Sequence, residues 1–168
     1  AAIAAWRIHD AIRHSGLDSR MLVGRKGRTD GSVVEQYRGL TGKARLRVSH
    51  MVEDWILRRQ HSPNPILHSL GWLPTAAPKA IAASNPDIIN LHWINQATIS
   101  IGEIARLGKP LVWTLHDTWP FSGCEHYDDM AHPGRFARGY TSDSRAPGHK
   151  GPDLDAWNFR RKRRLWQD

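Results

Sequence analysis

The sequence predicts an α/β fold, a parallel sheet with helices on both faces, and three observations carry that prediction. Two short apolar runs, Asp87-Ile-Ile-Asn-Leu-His92-Trp93 and Pro110-Leu-Val-Trp-Thr-Leu-His116-Asp117, each end abruptly in a histidine. Runs of that length read as buried parallel strands. Between them Ser100-Ile-Gly-Glu103 has the form of a capping box in front of Ile104, Ala105 and Leu107, with Gly108 ending the helix. Strand, helix and strand then form one βαβ unit, whose crossover is expected to be right-handed. The chain also opens with a helix followed by a strand, which fits the same alternation.

In chain order, Ala1, Ala4, Ala5, Ile8, Ala11 and Ile12 recur at helical spacing, and Gly16 stands where a left-handed cap closes a helix. Ser19 to Val23 reads as a strand. Gly24 to Gly42, rich in glycine and charge, reads as a long loop. Val48, Met51, Val52 and Trp55 define the apolar face of a second helix, which ends among Arg58, Arg59 and Gln60. Cations there suit the negative end of the helix dipole. Pro78 opens a short alanine-rich helix that stops at Asn85, because Pro86 disfavours helical backbone in the residue before it. After Phe121 the sequence turns to glycine, aspartate, histidine and arginine and reads as loop through Lys150. Asp153 or Asp155 caps a last helix in which Trp157, Leu165 and Trp166 are apolar, and Arg160 to Arg164 form an unbroken basic run expected to face water.

A length of 168 residues and 40% hydrophobic content suit one domain with its own core. Position 1 lies inside a helical pattern without a capping residue before it, so the sequence reads as a piece of a longer chain. No apolar stretch approaches the roughly 20 residues that cross a bilayer, and the one cysteine, Cys124, forms no internal disulfide; cytoplasm is the expected compartment. A formal charge of +8 favours anionic partners without naming one. The sequence has no phosphate-binding glycine loop, dinucleotide fingerprint or nucleophile elbow, and no paired carboxylates at a useful spacing.

In an open parallel sheet, functional side chains gather beyond the carboxyl ends of the strands, and both histidines belong there. His116 followed by Asp117 precedes the rigid aromatic turn Thr118-Trp-Pro-Phe-Ser-Gly123, which is placed to wall a pocket through Trp119. An imidazole at that point either binds a sugar hydroxyl or phosphate and exchanges protons near neutral pH, or merely caps the strand. His92, with Trp93 and Asn95 after it, is the parallel case. Of the eight tryptophans, Trp6, Trp55 and Trp113 fall on or beside apolar faces and read as core. Cys124, His126, Asp128, Asp129 and His132 include metal-ligand types but lack the regular spacing of a structural zinc site, so no metal is assigned.

The segments Asn85-Pro-Asp-Ile-Ile-Asn-Leu-His-Trp-Ile-Asn95, Ser100-Ile-x-Glu-Ile-Ala-Arg-Leu-Gly-Lys-Pro110 and Trp113-Thr-Leu-His-Asp-Thr-Trp-Pro-Phe-Ser-Gly123 resemble the N-terminal domain of family 4 glycosyltransferases, most of all bacterial polysaccharide enzymes of the colanic-acid type. Ala1 to Arg20 and Gly151 to Trp166 are similar to helices of the same enzymes. The resemblance implies a Rossmann-like sheet, the N-terminal half of a GT-B fold. Residues 1–168 would then be a partial acceptor-side domain without its first strand and without the C-terminal donor domain. It further implies a retaining, metal-independent transferase with no cofactor, whose partners are a sugar-nucleotide donor and a glycan or lipid-linked acceptor, working in the cytoplasm or against the inner face of the plasma membrane. On this reading His116 and Asp117 are the catalytic residues, and His92, Trp93, Asn95 and Trp119 bind substrate. Cysteines that close relatives carry after the Trp-Pro-Phe turn are absent apart from Cys124, so no cysteine site carries over. The alternative is a basic module that docks on nucleic acid or an anionic membrane through Arg160 to Arg164.

Overall fold

The computed structural model describes residues 1–27, 29–128, 134–145 and 147–166. It is a mixed α/β structure with the order α1 (Ala2–His14), β1 (Met21–Val23), β2 (Val33–Glu35), α2 (Gly39–Arg58), α3 (Ala77–Ser84), β3 (Ile89–His92), α4 (Ile101–Ile104), β4 (Leu111–Thr114), α5 (Arg135–Arg138) and α6 (Leu154–Trp166). The first helix ends as its sequence requires. Gly16 adopts φ +87°, and the amides of Gly16 and Leu17 bond back to the carbonyls of Arg13 and Ile12, the paired bonds of a Schellman cap. Asn85 takes a left-handed conformation at the end of α3, just before Pro86.

The strands pair in parallel, but as two separate two-stranded sheets rather than one. Met21 to Val23 lie opposite Val33 to Glu35, so the stretch expected to be loop contains β2 and the start of α2. The alternation Val33-Val34-Glu35 was too short to stand out among glycines and charges. In the second sheet Ile89, Asn90, Leu91 and His92 lie opposite Leu111, Val112, Trp113 and Thr114. No backbone ladder joins the two pairs among the described residues. The loop after β3 joins them instead: the Tyr37 hydroxyl donates to the Ala97 carbonyl at 2.6 Å, and His50 Nε2 lies 3.3 Å from the Gln96 carbonyl.

The main core lies against one face of β3 and β4, where Ile89, Leu91, Ile94, Ile99, Ile101 and Ile104 meet Trp119. The opposite face carries Asn90 and Val112 and is exposed, so helices on both faces of this sheet are not observed among the described residues. The apolar faces read for α1 and α2 also point outward. Ala1, Ala4, Ile8 and Ala11 are exposed while His9 is buried, held between the Ser19 and Ser32 hydroxyls at 2.8 and 2.9 Å. On α2 the buried residue is Ser49, with Ile56 and Leu57 packed on a second small cluster, whereas Val48, Met51, Val52 and Trp55 face solvent. Periodicity located both helices but did not say which face the rest of the chain would cover.

The capping box of α4 forms in full and is extended by Thr75. The Glu103 carboxylate accepts from the amide and hydroxyl of Ser100, each at 2.9 Å, and from the amide and hydroxyl of Thr75 at 2.8 and 2.9 Å. Burial alone pushes this acid up, but the four hydrogen bonds outweigh burial and hold it below its ordinary value. Glu103→Ala leaves buried donors unpaired and should cost about 3 kcal/mol, a fall in melting temperature of roughly 10 °C. Because the folded-state value is depressed, the contribution of Glu103 is present above the ordinary value of 4.5 and is lost as the pH falls through the folded value. Melts of the two proteins should therefore converge on acidification.

Candidate functional site

His92 closes β3, and His116 lies two residues beyond Thr114, the strand partner of His92. Parallel pairing at that register brings the imidazoles together, with His92 Nδ1 3.0 Å from His116 Nε2 and the ring centroids 5.3 Å apart. One nitrogen donates and the other accepts. The two outer nitrogens of the neutral pair are therefore one donor and one acceptor, whichever tautomer is present. Burial lowers the pKa of His92 and the neighbouring His116 lowers it further, because a second proton on the pair would set two cations side by side.

Trp93 follows His92 with φ +30°, and Gln96 and Ala97 have φ +54° and +61°. Three non-glycine residues in the left-handed region within five positions store strain of order 1–3 kcal/mol each, which persists only where surrounding contacts impose it. Those contacts are the Tyr37 bond to Ala97, the Thr98 hydroxyl to the Asn95 carbonyl at 2.9 Å, and the Ile99 amide to the Ile94 carbonyl. Asn95 is buried, and its Oδ1 makes no hydrogen bond to the described protein. His92 and His116 thus meet at the strand ends, while the Trp93 ring lies 5.6 Å from that of His126 and Asn95 is buried in the loop.

The other two expected site residues do not line this edge. Asp117 turns inward: one carboxylate oxygen lies 2.6 Å from His126 Nδ1 and the other accepts from the Trp119 amide at 3.1 Å. Trp119 is fully buried, its indole N–H donating to the Ser69 carbonyl at 2.8 Å, so it belongs to the core and not to a pocket wall. The turn after β4 folds back into the domain instead of standing over the strand ends, and this carries both side chains inside.

His126 Nε2 is 2.9 Å from the Ser69 hydroxyl, so Ser69, His126 and Asp117 are linked in the order of a nucleophile, base and orienting acid. Burial argues against catalysis, since Ser69 is 4% and His126 1% exposed and the nucleophile has no path to a substrate. Burial also pushes the His126 pKa down, against the pull of Asp117. The neutral ring donates through Nδ1 and accepts the serine proton at Nε2, which pins the turn. Of the residues weighed for a metal, His126 is spent here and Cys124 is buried with its thiol against the Leu154 carbonyl. Asp129 and His132 lie outside the described residues, among which no group of three metal-binding side chains occurs.

The basic run on α6 also departs from expectation. Lys162 is 2% exposed, and its ammonium donates to the carbonyls of Trp119, Ser122 and Gly123 while lying 3.7 Å from the centre of the Trp119 ring. Asn158, one turn earlier, donates to the Gly123 carbonyl and accepts from the Trp72 indole. Asp155 accepts from Gln60, from the Cys124 amide and from Arg135. The missed signal was Asp155, Asn158 and Lys162 recurring at three and four residues, a polar stripe down one side of the helix. Gly123 is required at the contact, since a methyl group there would stand 2.8 Å from the Asp155 Cα.

No family model, curated protein or solved structure matches this chain.

Two measurements test this description. In His116→Ala the His92 pKa, followed by NMR titration, should rise, because both the neighbouring charge and part of the burial are removed; an unchanged titration would separate the two rings in solution. Burial lowers Lys162 from 10.5 to about 7. The folded state therefore releases its proton before the unfolded state does, and stability rises with pH between about 7 and 10.5. Thermal melts should show that rise in the native chain and its loss in Lys162→Met.

Proposed function

We propose that the chain is the acceptor-side domain of a retaining glycosyltransferase that takes its sugar from a sugar nucleotide in cell-surface polysaccharide synthesis. The observation that carries this reading is the imidazole pair at the carboxyl ends of β3 and β4. A sugar hydroxyl both donates and accepts, and the outer nitrogens of the pair offer one partner of each kind. The strand-end position supports it as well, because His92 is fixed by the paired strands and holds the His116 ring against it, so little reorganisation is needed to aim the pair. Trp93 follows His92 directly in the same loop and is partly exposed, whereas Asn95 is buried beneath it and supports the loop rather than meeting a ligand. The sequence resemblance to family 4 enzymes points the same way.

In this reading His116 contacts the transferred sugar. Asp117 is a positioning residue, since its carboxylate holds His126 and the Trp119 amide rather than facing the strand ends. The activity needs no metal or cofactor, and a second domain outside these residues binds the donor nucleotide. The enzyme works on the cytoplasmic side with a glycan or lipid-linked acceptor. No described helix is long and apolar enough to cross a membrane.

Kinetics test the proposal. The 168-residue chain alone should show no turnover with sugar nucleotides. In the enzyme that contains it, His116→Ala should stay folded by circular dichroism and lose about 10²-fold in kcat, the scale for one polar contact that strengthens in the transition state. Asp117→Asn should be milder and should lower the melting temperature, because it weakens the bond to His126. A folded His116→Ala enzyme with native kcat and KM would reduce His116 to a strand-end residue, and robust turnover by the chain alone would place the active site elsewhere.

A further inference from the structure

The outward face of α2 is apolar for four turns. Leu40, Val48, Met51, Val52 and Trp55 are 86, 58, 69, 36 and 58% exposed. At 100° per residue they fall within a sector of about 120°. The inward side is already engaged: Ser49 is buried, Ile56 and Leu57 pack on the second cluster, and Glu53 accepts from the Leu70 amide. The stripe is therefore not the helix's docking side but a separate surface. At its C-terminal end it runs into a cavity of about 320 Å³ where Trp55 meets Trp72 and Trp157.

Charge identifies what covers it. Lys43, Arg45, Arg47, Arg58 and Arg59 of this helix are exposed, against one exposed acid, Asp54. Arg47 flanks one edge of the stripe and Arg45 the other, while Arg58 and the C-cap Arg59 close its C-terminal end, with the Arg59 guanidinium 4.0 Å from the centre of the Trp55 ring. An apolar stripe edged by cations and ended by tryptophans is the pattern of a helix lying in a membrane interface, where the stripe meets acyl chains and the cations meet anionic headgroups. A second copy of the chain fits poorly, because it would bring the same cations against themselves. The basic run of α6 is less suited, since Lys162 is spent inside the domain.

We propose that α2 docks this protein on an anionic lipid surface, with Leu40, Met51 and Trp55 inserted and the flanking arginines on headgroup phosphates. The inference rests on the helix alone and holds whether or not the domain transfers sugar.

The test is co-sedimentation of the chain with vesicles of phosphatidylcholine, with or without about 30 mol% phosphatidylglycerol. Binding should be at least about tenfold stronger to the anionic vesicles and should weaken as salt is raised. Met51→Asp with Trp55→Asp, and separately Arg47→Glu with Arg58→Glu, should each lower binding about tenfold or more while circular dichroism stays native. Val48→Ser with Met51→Ser is the milder version, expected to fall between. Ile88→Ser with Val112→Ser on the open sheet face, and Arg163→Gln with Arg164→Gln on α6, should leave it unchanged. Failure to bind anionic vesicles, or binding unchanged in the folded α2 variants, would overturn the proposal. So would a dimer in sedimentation velocity that the Met51 and Trp55 changes dissolve without any lipid binding, since the stripe would then be covered by a second copy.

Discussion

The structure depends on how the turn after β4 buries its backbone. A loop carried into a core brings carbonyls and amides that need partners, and each one left unpaired costs on the order of 1–3 kcal/mol. Here α6 supplies those partners. Lys162 and Asn158 donate to the carbonyls of Trp119, Ser122 and Gly123, and Asp155 accepts from the Cys124 amide. The helix thus replaces the water that an exposed turn would have used, and in doing so it draws Trp119 into the core beside Trp166.

That arrangement places charge where charge is expensive. Glu125 is pushed up to about 7 by burial and by the nearby Asp155 carboxylate, and its Oε1 accepts from the Tyr140 hydroxyl. Arg135 bridges Asp153 and Asp155 and stacks on the Tyr140 ring. Removing one member of such a set is far more damaging than replacing all of it with apolar groups, because the partner is left buried and unpaired. The network is therefore better read as fixing one conformation of the turn than as a source of net stability. With the turn held, β4 ends in a defined place, and His116 meets His92 rather than swinging free.

The strand ends and α2 are two surfaces with different logic. At the strand ends two imidazoles meet beside a strained loop, so the polar groups there are few and fixed in position. Along α2 the apolar side chains are numerous, unstrained and edged by cations, which suits an extended surface without fixed donor positions.

Local chemistry was legible in the sequence wherever it was self-contained. The glycine cap after α1, the Ser100–Glu103 capping box, the stop of α3 before Pro86 and the strand ending at His92 all appear where the residues placed them, because each depends on neighbours within a few positions, while β4 stops at Thr114, two residues short of His116. That β3 and β4 are parallel neighbours followed from the βαβ pattern, whereas their register, and with it the contact of His92 with His116, came from the structure. What the sequence by itself could not determine was the direction in which each face points. The apolar stripes of α1 and α2 look outward, Trp119 and Asp117 turn inward, and Lys162 is the one cation of a basic run that the core takes in. Those outcomes were decided by contacts between separate segments, from His9 with Ser32 to Trp119 with Ser69 and Lys162 with Trp119. A residue's own period along the chain carries no record of the partner that will be waiting for it.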